Sequence, residues 1–181
     1  MNHSHSIPKI FGIGLSRTGT KSLTRSLKHL GYKSIHYPRQ FHFKQGRIVI
    51  PRRVLNNYQA LIDTPIALDF PELDKRYPDS RFIYTVRSMD SWLDSCRRFF
   101  RPGRFWRDTE GELHQQFYGG NVFDEQRFRE GYLRHHERVM SHFSQRPEQL
   151  LVLNICGGEG WPQLCRFLEA PIPDQSFPHR I

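Results

Sequence analysis

Nearly continuous apolar runs, separated by segments of helical spacing, organise this chain. Residues 9–15 (KIFGIGL), 60–63 (ALID), 81–86 (RFIYTV) and 150–154 (LLVLN) are such runs, each flanked by turn residues. A strand covered by helices on both faces carries a run of this kind, whereas a strand with one wet face alternates. Between the runs, apolar residues recur every three or four positions. Leu23, Leu27 and Leu30 follow the first run, with Gly31 as a stop signal. Trp92, Cys96, Phe99 and Phe100 follow the third, ahead of Pro102. Phe128, Tyr132, His136, Val139 and Phe143 form a longer stripe before the last. This alternation predicts an α/β fold, a three-layer sandwich around a central parallel sheet. Two stretches, 37–53 and 101–123, follow neither rhythm. They are expected to be irregular insertions at strand ends, where an α/β fold shapes its substrate pocket.

Composition narrows the class. At 181 residues and 37% hydrophobic, the chain suits one domain over 1–181, with residues 1–8 a flexible lead that includes His3 and His5. Lys and Arg number 27 against 18 Asp and Glu, a net charge of +9. That surplus favours an anionic partner: a nucleotide, nucleic acid, an anionic membrane face or an acidic substrate. The opening MNHSHS has no apolar signal core, and no run approaches the roughly 20 apolar residues of a membrane span. A cytoplasmic protein without stable membrane insertion is expected. Cys96, Cys156 and Cys165 are odd in number and lack metal-knuckle spacing, which suits small core residues in a reducing compartment. His135, His136 and His142 are not spaced as a compact ligand set, so no metal is expected. One of the adjacent pair is expected to face the core and the other water.

The first run ends in GIGLSRTGTKSL, Gly12 to Leu23. A strand, a Gly-rich turn and a helix start aim free N–H groups and the positive helix end at an anion. Spacing excludes two versions of that device. A dinucleotide fingerprint would need a third glycine where Arg17 stands, and a nucleophile elbow would need glycine at Thr18. The NTPase loop is nearly met from Gly14, but Thr20 pushes Lys21-Ser22 one place late. A second anion site is suggested by FIYTVRSMDSWLDS. Arg87 leaves a buried strand, and its guanidinium fork suits a phosphate. Ser91 and Ser95 lie one helical turn apart on the same face.

The stretch from Ser16 to Leu23 resembles the 5′-phosphosulfate loop of sulfotransferases, which use 3′-phosphoadenosine-5′-phosphosulfate (PAPS). Arg17 stands where many cytosolic members have Lys. Arg87 with Ser95 eight residues later resembles the family's 3′-phosphate signature. YPDSRFIYTVR, YLRHHERV and LCRFLEAPIPDQSFPHR are similar to a short bacterial subfamily, so the resemblance covers nearly the whole chain. It implies cofactor binding by Arg17, Thr18, Gly19, Thr20, Lys21, Ser22, Arg87 and Ser95. Arg17 would touch the transferring group, while Gly19 to Ser22 would hold the 5′-phosphate. The product would be 3′,5′-adenosine bisphosphate, with no metal required. The Arg-Lys-Gly element of larger members has no match here. His179 and Arg180 are a possible substitute, a frayed basic tail being the other reading.

The family places a base, commonly His or Glu, upstream of the 3′-phosphate arginine near a Pro turn. LIDTP occupies that place, so Asp63 is the expected base, with Asp69 and His36 next in order. Asp63 would also serve as N-cap of the helix after Pro65. The acceptor is expected to be a hydroxyl on a small molecule, carbohydrate or lipid. Two rivals stay open. One is a small-metabolite kinase using ATP and Mg²⁺, with Lys21 and Ser22 as its loop and Asp63 as a metal-side carboxylate. The other is a non-enzymatic nucleotide- or RNA-binding module, for which Phe99, Phe100, Phe105 and Trp106 interleave with arginines from Arg97 to Arg107. That arginine-rich stretch reads better as pocket wall or acidic-substrate guide, and no nucleic-acid partner is expected. Trp106 and Trp161 are candidates for stacking on adenine, whereas Trp92 lies on an apolar stripe and belongs to the core.

Overall fold

The computed structural model describes residues 8–179. In chain order the elements are β1 (Ile10–Gly12), α1 (Thr20–His29), β2 (Ser34–His36), β3 (His42–Lys44), β4 (Arg47–Val49), α2 (Arg52–Asn57) and β5 (Ala60–Ile62). There follow α3 (Thr64–Arg76), β6 (Arg81–Thr85), α4 (Met89–Phe99), α5 (Asp108–Tyr118), α6 (Glu125–His142), β7 (Leu150–Leu153) and α7 (Trp161–Leu168). Five strands form one sheet in the order β2-β5-β1-β6-β7, and every pairing in it is parallel. All five therefore end on the same edge, where β1, β5 and β6 deliver the loops that carry Arg17, Asp63 and Arg87.

Alternate residues of the central strands feed two separate cores. Phe11, Leu61, Phe82 and Tyr84 pack against residues of α3, α4, α5 and α6, among them Phe70, Trp92, Tyr118 and Phe128. Ile10, Ala60, Ile62 and Ile83 face the other way, onto Leu23 and Leu27 of α1 and Leu164 and Leu168 of α7. Two covered faces explain the unbroken apolar runs, and the result is the expected three-layer sandwich. Helix α1 ends at Leu30, after which Gly31 adopts φ +87°, the left-handed conformation that favours glycine.

The two stretches expected to be irregular are ordered. Residues 37–53 contain the antiparallel hairpin β3–β4, with Phe43 opposite Ile48. Its strands have three residues each and bury only Ile48, so period-2 patterning is weak. Residues 101–123 contain α5, which buries Leu113, His114, Phe117 and Tyr118. Gly111 inside α5 and the glycines after it mask the helical signal. The α6 stripe also needs one correction. His135, not His136, lies on the buried face, where its Nε2 donates to the Ile13 carbonyl at 2.8 Å. Burial lowers its pKa to about 4, so the ring is neutral at neutral pH. His136 is exposed, and His142 meets Asp74 at 2.7 Å on the α3–α6 side, so the three histidines do separate jobs. Cys96 and Cys165 are core residues as expected, but Cys156 is exposed. No helix among the described residues is long and apolar enough to cross a membrane.

Candidate active site

A cavity of about 550 Å³ opens where β1, β5 and β6 end. One part of its wall comes from the β1–α1 loop and the start of α1: Ser16, Arg17, Gly19, Thr20, Lys21 and Ser22. Close packing fixes that loop. Any side chain at Gly14 would collide with Thr85 on β6. The Trp92 indole N–H donates to the Ser16 carbonyl at 3.0 Å, pinning the loop to α4. Arg17 has φ +76° and Gly19 φ +99°, two left-handed residues that turn the chain sharply into α1. The Arg17 conformation is uncommon for a residue with a side chain, and such strain concentrates at functional sites. Gly19 is the α1 N-cap and supplies no side-chain cap, and the first turn has no acidic residue. The positive end of α1 therefore meets the cavity with no acidic residue in its own first turn.

Arg87 joins this wall from the end of β6. The Tyr132 hydroxyl donates to its carbonyl at 2.8 Å and accepts from its N–H at 3.2 Å, clamping the backbone. Its guanidinium donates through Nε to Ser91 at 2.9 Å and through Nη1 to the Arg17 carbonyl at 3.2 Å. Two loops seventy residues apart thus meet through one arginine.

Thr18 and Ser95 stand apart from the other expected cofactor residues. The Thr18 hydroxyl turns inward, donating to the Leu15 carbonyl at 2.7 Å and pairing with Thr85. Ser95 is 2% exposed and accepts from Arg17 Nε at 3.0 Å, behind the cavity wall. His179 does line the cavity, while Arg180, His3 and His5 lie outside the described residues. Trp106 lines the cavity too, whereas Trp92 and Trp161 are core residues.

The three base candidates separate cleanly. Asp63 is 3% exposed and caps α3, accepting from the Thr64 N–H at 2.6 Å. Its Oδ1 also takes hydroxyls of Ser16 and Thr64, and its Oδ2 takes the Thr20 hydroxyl at 3.1 Å. His36 Nε2 sits 2.7 Å from Oδ2. Burial alone would raise the Asp63 pKa, but the neighbouring His36 and the bonds from His36, Thr64 and Ser16 hold it below the usual value. The carboxylate is an acceptor already filled by four neighbours, and its φ of +93° marks a strained placement. His36 is partly exposed on the cavity wall. Asp69 lies on α3 away from the cavity, where burial and then Glu72 raise its pKa to about 7.

Most of the remaining cavity wall comes from the two stretches expected to shape a pocket and from the arginine-rich segment expected to be pocket wall, with Glu110 and His114 not singled out by the sequence. Tyr37 and Arg39 come from the segment before β3, Phe99 from α4, Arg104 and Trp106 from the next loop, and Glu110 and His114 from α5. The Phe99 ring lies 5.0 Å from the Arg17 guanidinium and 3.8 Å from that of Arg104. His114 is kept neutral, its pKa lowered to about 4 by burial.

Comparison with known proteins agrees with this geometry. The family model described as the sulfotransferase domain matches residues 9–180. The protein named Ava biosynthesis cluster protein M, from Aspergillus versicolor, is 26% identical over 207 aligned residues, covering 94% of this chain and 80% of its own length. A sulfotransferase crystal structure from Alicyclobacillus acidocaldarius shares the fold with a TM-score of 0.56 at 16% identity, over 97% of this chain and 87% of that one.

Proposed function

Given that the chain belongs to the sulfotransferase family, we propose that it transfers a sulfuryl group from PAPS to a hydroxyl acceptor by in-line displacement. The observation that carries the donor assignment is the Arg87–Arg17 contact, which joins the α1 anion cradle to a second phosphate-seeking arginine on one cavity wall. The α1 N-terminus and Lys21 suit the 5′-phosphate, and Arg87 suits the 3′-phosphate. Bound there, PAPS would supply the activated sulfuryl group.

The residues then divide the work. By analogy with phosphoryl transfer, the transition state is loose, and negative charge grows on the oxygen bridging sulfur and the 5′-phosphate. Arg17 is aimed at that oxygen, and preorganised cations of this kind are the main catalytic device. Ser95 accepts from Arg17 Nε and so helps to position that guanidinium, and its own hydroxyl proton stays available to the 3′-phosphate. Thr18 serves the loop by tying it to β6.

The base moves from Asp63 to His36. A proton on Nε2, donated to Asp63, leaves Nδ1 as the ring's acceptor for the hydroxyl proton. Asp63 is then a positioning residue that fixes the tautomer. In the complete step a bond forms between the acceptor oxygen and sulfur, and the bridging S–O bond breaks with its electron pair retained by the bisphosphate. The hydroxyl proton passes to His36.

The same filled carboxylate weighs against the kinase alternative, since Asp63 has no free oxygen to offer a metal ion. Three free thiols, one of them exposed, favour a reducing compartment such as the cytoplasm. Incubation with PAPS and a panel of alcohols and phenols is expected to release 3′,5′-adenosine bisphosphate. Phosphoryl transfer from ATP and Mg²⁺, with no bisphosphate released from PAPS, would overturn the assignment.

A further inference from the structure

The far end of the cavity has a chemistry of its own. Aromatic rings dominate it: Tyr37, Phe99, Trp106 and the neutral imidazole of His114. The rings are fixed by their neighbours. The Trp106 indole N–H donates to the Asn121 carbonyl at 3.1 Å, and its ring centre lies 4.4 Å from that of His114. Such a wall favours a planar ring in the acceptor.

Two cations lie on this same wall, Arg39 and Arg104. Arg104 shares the Phe99 ring with Arg17, whereas Lys21 and Arg87 are assigned here to the nucleotide's phosphates. Neither Arg39 nor Arg104 forms an ion pair with a carboxylate among the described residues, whose ion pairs lie elsewhere. The Arg104 guanidinium stacks over Phe99 at 3.8 Å and over Trp106 at 4.5 Å, and Nη1 donates to the Phe99 carbonyl. Its remaining N–H groups keep a flat fork next to the ring wall. Burial, then Arg101 and Arg17, disfavour the Arg104 charge, and the nearby Glu110 favours it, so a further anion there would add to the part Glu110 plays. Glu110, the carboxylate on this wall, is partly committed because it accepts from the Arg107 N–H at 3.1 Å as part of the α5 cap.

We infer that the acceptor is a small phenol bearing a carboxylate, with its ring among the aromatic side chains of this wall, its carboxylate on Arg104 and its hydroxyl toward His36. The inference rests on the sulfuryl-transfer reading and deepens it. An anionic acceptor would otherwise be repelled by the anionic donor, and Arg104 with Arg39 offsets that repulsion. A cavity of about 550 Å³ that also takes part of the nucleotide has room for one ring and a short arm. The phenolic oxygen gains the sulfur, and its proton goes to His36.

The test compares 3-(4-hydroxyphenyl)propanoate with neutral 4-ethylphenol and cationic tyramine, each with PAPS, reading kcat/KM from bisphosphate release. The acid is expected to exceed 4-ethylphenol by at least about tenfold, the scale of one charge-assisted hydrogen bond. Arg104→Gln should bring the ratio of acid to neutral phenol close to one. Arg104→Lys, which keeps charge but not the fork, should leave part of it. Retention of the bisphosphate-induced rise in Tm by each variant shows that it folds. A preference for 4-ethylphenol, for tyramine or for a tyrosine within an acidic peptide would overturn the assignment, as would equal loss on all phenols in Arg104→Gln. If the bisphosphate raises Tm but no phenol is sulfated, this acceptor class is wrong and the donor reading stands. If the bisphosphate does not bind, both fall.

Discussion

On the proposed reading, the phosphate-binding and acceptor-binding parts of the cavity solve different recognition problems by different means. The phosphate end is built mainly from consecutive residues, Ser16 to Ser22, with Arg87 added from the neighbouring strand end. It uses backbone N–H groups, a helix terminus and cations, and those need fixed local spacing. The acceptor end gathers Tyr37, Phe99, Arg104, Trp106 and His114 from separate segments, and packing alone brings them together. An anion can be held by geometry that a short motif encodes. A particular acceptor needs a surface, and that surface exists only after the insertions have folded. Phe99 is where the two meet, lying close to both Arg17 and Arg104.

Substitutions at the two ends should therefore separate in kind. The largest effect is expected from Arg17→Ala, which removes a contact formed mainly in the transition state. Turnover should fall by about 10² to 10³, with bisphosphate affinity changed much less. Steady-state kinetics with PAPS, set beside a bisphosphate titration, checks this, and an unchanged kcat with raised KM would move Arg17 from catalysis to binding.

Next comes the boundary between the ends. His36→Gln should lower kcat by about 10² or more, the ordinary contribution of a general base, with bisphosphate binding intact. Asp63→Asn should lower kcat less while also lowering Tm, since Asp63 holds the α3 cap and three hydroxyls besides His36. The order His36 below Asp63 in residual rate is the discriminating result. Near-wild-type turnover in His36→Gln with a severe loss in Asp63→Asn would return the base to Asp63.

A smaller effect is expected at the acceptor wall alone. Trp106→Ala should raise the KM for a phenolic acceptor by about tenfold, in keeping with a lost aromatic contact, and leave the Kd for the bisphosphate unchanged. A parallel loss in both would mean that the two ends are not separable.

The smallest effect belongs to neither end. Asp69 has a pKa raised to about 7 against 3.8 for an ordinary aspartate. Between those values the folded chain keeps a proton that the unfolded chain releases, so this residue makes stability fall as pH rises from about 4 to 7. Asp69→Asn should raise Tm by a few degrees at pH 8, at about 2–4 °C per kcal/mol for a chain of this size, and change nothing at pH 4. Thermal melts at the two pH values decide it.

What could be read in the sequence follows the same division. The sheet was legible because burial on two faces forces continuous apolar runs, as in residues 81–86. The β1–α1 stretch of the cavity wall was legible because its residues are adjacent in the chain. Asp63 and His36 could be nominated singly, but not their pairing, since β2 and β5 become neighbours only through sheet topology. Ser95 showed the spacing for a phosphate contact, but its bond from Arg17, seventy-eight residues away, could not be read from that spacing. Phe99, Arg104 and Trp106 could be read as pocket wall from their interleaved pattern, but His114 and the elements of the insertions could not: α5 carries a glycine in its middle, and hairpin β3–β4 buries too few residues to show a period.

The central claim is that one cavity reads both phosphates of PAPS, and a calorimetric titration tests it most directly. Wild-type protein and Arg87→Ala would each be titrated with 3′,5′-adenosine bisphosphate and with AMP. The bisphosphate is expected to bind wild type at least about tenfold more tightly than AMP, the scale of a charge-assisted contact, and Arg87→Ala is expected to remove most of that preference. Equal affinities in the wild-type protein would contradict the account.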